Sequence, residues 1–178
     1  MSNVRPHLHP SRSIEPVDPQ DPAALSLLRE AAIEVRAQYP ESQTTNAEWP
    51  SNPPTPPRGI YLVTFVGGAP VACGALRPMD EQSVEIRRMF VLSGARRQGH
   101  ARAVLSALER YAAEYGFTIM LLETGNRQSA AMALYESYGF RRIAPFGEHA
   151  NDPTSVCYEK YIASGRVALY LSSEPSDR

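Results

Sequence analysis

The turn Arg96-Arg97-Gln98-Gly99-His100-Ala101-Arg102 concentrates more usable chemistry than any other stretch of the chain. It stands between a strand-like run and a long amphipathic run, so it opens a helix. The first N–H groups of a helix have no intrahelical acceptor, and the aligned peptide dipoles make that end positive. Glycine lets backbone approach a ligand closely, and guanidinium groups offer forked hydrogen bonds to phosphate oxygens. The turn therefore reads as an anion site. Other familiar chemistry is missing: Lys160 is the sole lysine, so no Walker A loop can be written, and no G-x-G-x-x-G, G-x-S-x-G or H-E-x-x-H occurs. His7 and His9 lack a third ligand nearby, so no metal is expected. Cys157 has no histidine before it at useful local spacing and reads as a core thiol.

The elements that must position this turn follow from periodicity. Leu25, Leu28, Ala32 and Val35 recur at helical spacing after Asp21-Pro22, an N-cap followed by proline at the first helical position, which predicts a helix over 22–38. Extended runs are expected at 13–17, 60–66, 71–79, 83–91, 117–123, 140–143 and 155–162, with Gly67-Gly68-Ala69-Pro70 turning a hairpin. In the run 83–91, strict alternation puts Val84, Ile86, Arg88 and Phe90 on one face and Glu85, Arg87, Met89 and Val91 on the other. Ala101, Val104, Leu105, Leu108, Ala112 and Tyr115 form the stripe of the long helix, ended by Gly116, and a short helix is expected over 128–138. The fold class is α/β (α+β): a mixed, mostly antiparallel central sheet flanked by helices, with a βαβ unit at the anion turn. One domain over 13–163 is expected, between a tail at 1–12 and another at 164–178 in which Val167–Leu171 packs. Within it, 40–59 is a stiff proline-rich loop carrying the only Trp, Trp49, and serves either as a wall of a binding site or as a surface excursion.

Arg96-Arg97-Gln98-Gly99-His100-Ala101 resembles the pyrophosphate signature Gln/Arg-x-x-Gly-x-Gly/Ala of the GNAT superfamily of N-acetyltransferases. Glu85–Val91 is similar to that family's fourth strand, and Ala131–Phe140 to its second signature, Ala-x-x-Leu-Tyr-x-x-x-Gly-Phe. The likeness covers about 60–162 and lapses in the proline-rich loop. It implies acetyl-CoA as co-substrate and an acyltransferase reaction on the primary amine of a small molecule, with both bound together. The amides of Met89, Phe90 and Val91 would line the pantetheine arm and polarise the thioester carbonyl. Arg96, Arg97, Gln98, Gly99, His100, Ala101 and Arg102 would hold the pyrophosphate.

The resemblance also implies catalytic roles. Tyr135 matches the family's proton donor to the departing thiolate. Glu85 matches a position that serves some members as base, with Glu123 either the second candidate base or a residue that binds the acceptor amine. His149, in the loop before the last strand, faces the acceptor or is a plain surface histidine, and the surface reading is preferred. Where many members have Asn seven residues before the tyrosine, this chain has Gln128, with Asn126 close by. Acetylation of a protein or peptide is the alternative within the same chemistry, and an idle acyl-CoA-binding regulatory domain is the alternative outside it. The oligomeric state, including a homodimer, is left open.

Charge narrows the partners. The 178-residue chain carries 18 basic and 19 acidic residues, so a nucleic-acid or membrane-surface role, which needs a basic excess, is not expected. Of the basic residues 17 are arginine, and Arg87, Arg88, Arg96, Arg97 and Arg102 fall in one window whose only acid is Glu85. Such a cluster suits one polyanionic ligand, with Arg96, Arg97 and Arg102 as the phosphate neighbours. Two cysteines and an N-terminus without an apolar signal core point to a reducing, cytoplasmic setting.

Overall fold

The structure, a computed structural model, describes residues 11–42 and 49–163. The expectations for His7, His9 and most of the N-terminal tail, and for Val167–Leu171, lie outside the described residues. The elements are β1 (Arg12–Pro16), α1 (Pro22–Gln38), β2 (Ile60–Val66), β3 (Ala69–Pro78), β4 (Ser83–Val91), α2 (His100–Glu114), β5 (Ile119–Gly125), α3 (Ser129–Ser137), β6 (Arg141–Ile143) and β7 (Ser155–Tyr161). The first strand thus begins at Arg12, one residue inside the expected tail.

Local chemistry accounts for most of these bounds. The Asp21 carboxylate accepts the Ala23 N–H at 2.8 Å and caps α1, with Pro22 at its first position. Gly67 and Gly68, at φ 57° and 81°, turn the β2–β3 hairpin in the left-handed region. The uncharged stretch between Arg58 and Arg77 is therefore two strands, and no helix among the described residues is long and apolar enough to cross a membrane.

Seven strands form one sheet in the order β1-β2-β3-β4-β5-β7-β6. Every neighbouring pair is antiparallel except β4–β5, which α2 connects as the expected crossover. Helices cover both faces. Val104, Leu105 and Leu108 of α2, all fully buried, pack with Leu62, Val84 and Ile86 and with Tyr135 of α3. On the opposite face Ala24 and Leu27 of α1 pack on Tyr61, Val63 and Cys73. Each face thus removes a continuous apolar layer from water.

Two departures from regularity make room for a site. Ala75 pairs with Arg87 and Cys73 with Phe90, so Arg88 and Met89 together face Gly74, and Arg88 takes φ 59°. This bulge corrects the strict alternation expected along β4. Val84 and Ile86 share the α2 face with Met89 and Val91, while Phe90 joins Cys73 on the α1 face. A side chain at Gly74 would meet Met89 Sδ and Val104 Cγ1, each at 2.8 Å, so the bulge is packed against a residue without one. The second departure is a split: β4–β5 pairing stops at Ile86–Leu122, while β4 continues to Val91 and β5 to Gly125. The free edges beyond that point diverge around a gap.

Candidate active site

A cavity of about 490 Å³ opens at the split. Its walls come from the bulged end of β4 (Met89, Phe90), the end of β5 (Glu123, Thr124), α3 (Tyr135) and the inner face of α1 (Ala31, Val35). Pro50 also lines it, so the proline-rich segment serves as a wall. Arg88 holds that wall: its Nε donates to Asn52 Oδ1 at 3.1 Å and its Nη2 to the Ser51 carbonyl at 2.9 Å.

The acidic end brings together residues from four parts of the chain. Glu85, 1% exposed, receives Arg77 on Oε2 at 2.6 Å from Nη2 and 3.0 Å from Nε, with Arg87 Nη1 at 3.5 Å. Its Oε1 lies 3.1 Å from His149 Nε2. The other ring nitrogen of His149, Nδ1, is 4.0 Å from Glu123 Oε2, while Glu123 Oε1 accepts a hydrogen bond from Ser155 Oγ at 2.7 Å. His149 is thus an inward-facing residue, which corrects the reading of it as a plain surface histidine. Glu85 is engaged on both oxygens, unlike a carboxylate turned directly toward an acceptor. Glu148, beside His149, ion-pairs with both Arg87 and Arg77, and these guanidinium groups hold its carboxyl down at about 2. Ligand atoms of Glu85, Glu148 and His149 lie within 4.8 Å of one another, but the positive charge at that point is supplied by the two arginines.

Tyr135 stands on the cavity wall at 5% exposure. Burial, and then the Glu123 charge, push its phenol above the ordinary range, so the proton is held at neutral pH. Its hydroxyl makes no hydrogen bond with another described residue and faces the cavity. Gln128 also lines the cavity, accepting from Thr124 Oγ1 at 2.9 Å, while Asn126 is turned toward the Tyr39 hydroxyl. Both cysteines are buried in strands. Burial pushes the Cys73 thiol up to about 11 and raises that of Cys157, so neither is an activated thiolate.

At the anion turn, α2 has no side-chain cap, and Gly99, its N-cap residue, sits at φ 80°. A Cβ placed on Gly99 would meet nothing within 4 Å. Uncapped amides of Gly99, His100, Ala101 and Arg102 beside open space fit a pyrophosphate. The arginine side chains do not all follow. Arg96 Nη2 is 2.5 Å from Glu34 and its Nε donates to the Val91 carbonyl at 3.1 Å. Arg102 Nη2 donates to Ser137 Oγ at 2.8 Å. Arg97 alone among these three makes no ion pair or hydrogen bond with a described residue. Gln98 Nε2 donates to the Gly94 carbonyl at 3.3 Å, and the His100 ring is buried with both nitrogens unpartnered.

The split sheet with its bulged strand, the uncapped helix start and the cavity ending in carboxylates are carried on an acetyltransferase fold. Residues 23–140 match the acetyltransferase (GNAT) family, and the chain belongs to that family. It is 39% identical over 101 residues to the IAA acetyltransferase of Azospirillum brasilense, covering 56% of this chain and 66% of that protein. Among solved structures, a protein of Klebsiella pneumoniae assigned as an acyl-CoA N-acyltransferase superposes with TM-score 0.70 at 28% identity, covering 84% of this chain and 97% of the other. A GNAT family acetyltransferase of Elizabethkingia anophelis with acetyl-CoA bound shares the fold at TM-score 0.60 and 20% identity, over 85% of this chain and 98% of that one.

Proposed function

We propose that the chain moves the acetyl group of acetyl-CoA directly to a primary amine of a small molecule, with both substrates bound at once. The observation that carries this reading is the Tyr135 hydroxyl, protonated and without a hydrogen-bond partner among the described residues, on the wall of the same cavity as Glu123. The first-turn amides of α2 and the Arg97 guanidinium would hold the pyrophosphate. Backbone at Met89, Phe90 and Val91, with Gln128 across the split, would line the pantetheine arm. Tyr135 donates its proton to the departing sulfur, which lowers the cost of expelling a thiolate into a water-poor site. Glu85 belongs to the acidic end that receives the acceptor ammonium. Direct transfer is favoured by the buried cysteines, whose raised thiols make a covalent acetyl-enzyme unfavourable. A small acceptor is favoured by the roof of α1 and Pro50 over the cavity. A reducing compartment such as the cytoplasm suits two free thiols.

The test is incubation with acetyl-CoA and a panel of small amines and peptides, following free thiol. Thiol release with small amines is expected. Release with peptides alone reassigns the acceptor, and acetyl-CoA binding with no release on any amine reassigns the chain as a binding module.

A further inference from the structure

His149 reaches the acidic end from a short turn, Gly147–His149, that precedes β7. Its side chain is 14% exposed, and its ring edge meets Phe146 with centroids 5.6 Å apart. Glu85 Oε2 is filled by Arg77, which leaves Oε1 to accept from His149 Nε2. A carboxylate only accepts, so the neutral imidazole carries its proton on Nε2 and keeps a lone pair on Nδ1. That lone pair lies on the Glu123 side, where Nδ1 and Oε2 are 4.0 Å apart, too far for a direct hydrogen bond. A nitrogen about 2.9 Å from each atom fits that spacing, and an ammonium has hydrogens for both. Ser155 Oγ on Glu123 Oε1 keeps the second carboxylate turned this way.

We propose that His149 is the base that takes the proton from the acceptor ammonium, that Glu123 docks this ammonium, and that Glu85 and Glu148 are positioning residues for His149. The assignment rests on the transfer reading above. Glu85 orients the imidazole, in place of acting as the direct base expected from sequence. Glu148 straps the turn to the sheet through Arg77 of β3 and Arg87 of β4. The charged groups around the ring are therefore Glu85 and Arg87 on β4, Arg77 on β3, Glu123 on β5, and Glu148 and Asp152 on its own loop.

The step balances as follows. Nδ1 takes one proton from the ammonium and becomes imidazolium. The freed lone pair forms the N–C bond to the thioester carbonyl, whose π pair moves to oxygen. That pair returns as the C–S bond breaks, and the sulfur leaves with the bonding electrons and takes the Tyr135 proton. The surplus proton on the new amide nitrogen restores the phenol, and His149 releases its proton to water. One proton is produced per acetyl group transferred.

The experiment uses the full chain, with His149→Gln, Glu148→Gln and wild type compared on one small amine. Wild-type kcat/KM for the amine should show a rising limb that coincides with the titration of the His149 imidazole followed by NMR. His149→Gln should lower kcat/KM by about 100-fold or more and abolish that limb, with acetyl-CoA affinity within about twofold of wild type. Glu148→Gln should keep the limb and lower kcat/KM for the amine by about three- to tenfold, because the base remains but its strap is weakened. Nitrogen chemical shifts should report the proton on Nε2 in the neutral wild-type ring. A limb unchanged in His149→Gln, or a proton found on Nδ1, overturns the assignment while leaving acetyl transfer standing. A wild type that releases no thiol with any amine overturns the transfer reading and this assignment with it.

Discussion

Arg88 Nε lies 3.1 Å from Asn52 Oδ1, which ties the bulge of β4 to the proline-rich segment 36 residues away in sequence. Asn52 is itself 3% exposed, and its Nδ2 donates to the Pro19 carbonyl at 3.0 Å. One residue at φ 59° thus serves two functions. Its backbone bulges the strand beside the split, and its side chain holds the proline-rich wall of the cavity.

Arg88→Ala should release that wall while leaving the α2 turn intact. The KM for the amine should rise several-fold, with KM for acetyl-CoA changed by less than about twofold. Limited proteolysis near Pro50 should accelerate. Unchanged amine KM together with unchanged proteolysis would show that the latch has no part in acceptor binding.

Tyr135→Phe removes one hydroxyl and no packing volume. Since that hydroxyl bonds to no described residue, the melting temperature should move little. Turnover should fall by about 100-fold, the usual size of a proton-transfer contribution, with acetyl-CoA affinity nearly unchanged. Retained turnover removes the proton-donor role.

Gly99→Val separates folding from ligand binding. The position is at φ 80°, so a branched residue costs on the order of 1–3 kcal/mol in backbone strain. The protein around it is open, however, with nothing within 4 Å of an added Cβ. Calorimetry should therefore show a folded protein of modestly lower stability with acetyl-CoA binding lost. Retained affinity would place the pyrophosphate elsewhere.

Glu148 makes the strap sensitive to acid. Its folded-state pKa of about 2 lies below the ordinary 4.5, so its contribution is present above 4.5 and is lost as pH falls toward 2. The carboxylate is 55% exposed, which keeps that contribution small for the fold as a whole. Protection of the amides in residues 147–152 against hydrogen exchange, taken relative to their intrinsic rates, should fall through this window in wild type. Glu148→Gln should show fast exchange at neutral pH already, and a wild-type profile flat to pH 2 would contradict the strap.

Cys73 supplies a control on the reaction route. Its thiol is 2% exposed and raised to about 11, so at pH 8 a thiol reagent should label the native protein slowly at this position and quickly once it is unfolded. Acetyl incorporation at either cysteine on incubation with acetyl-CoA alone would argue for a covalent intermediate.

Several elements were legible from local patterns. The helix over 22–38 and the strand over 83–91 have the bounds that periodicity and the Asp21-Pro22 cap indicated. The strand–turn–helix at Gly99 was equally readable, because a glycine at a helix start and the two ordered motifs are properties of adjacent residues. The cluster of five arginines was visible too, but its use was not. Arg87, Arg88, Arg96 and Arg102 turn to Glu148, Asn52, Glu34 and Ser137, partners 35 to 62 residues away in the chain.

The sequence by itself determined the family and the order and type of the elements, since each depends on spacing within one segment. The tertiary structure alone decided which side chains meet across the sheet. Insertion of β7 between β5 and β6 brings the preceding loop over the end of β5, and the bulge at Arg88 shifts the facing of β4 beyond it. Strand order and register are set by long-range pairing, which local periodicity does not encode. His149, 64 residues beyond Glu85, carries no neighbouring pattern that marks it; only the closed sheet sets it between two carboxylates.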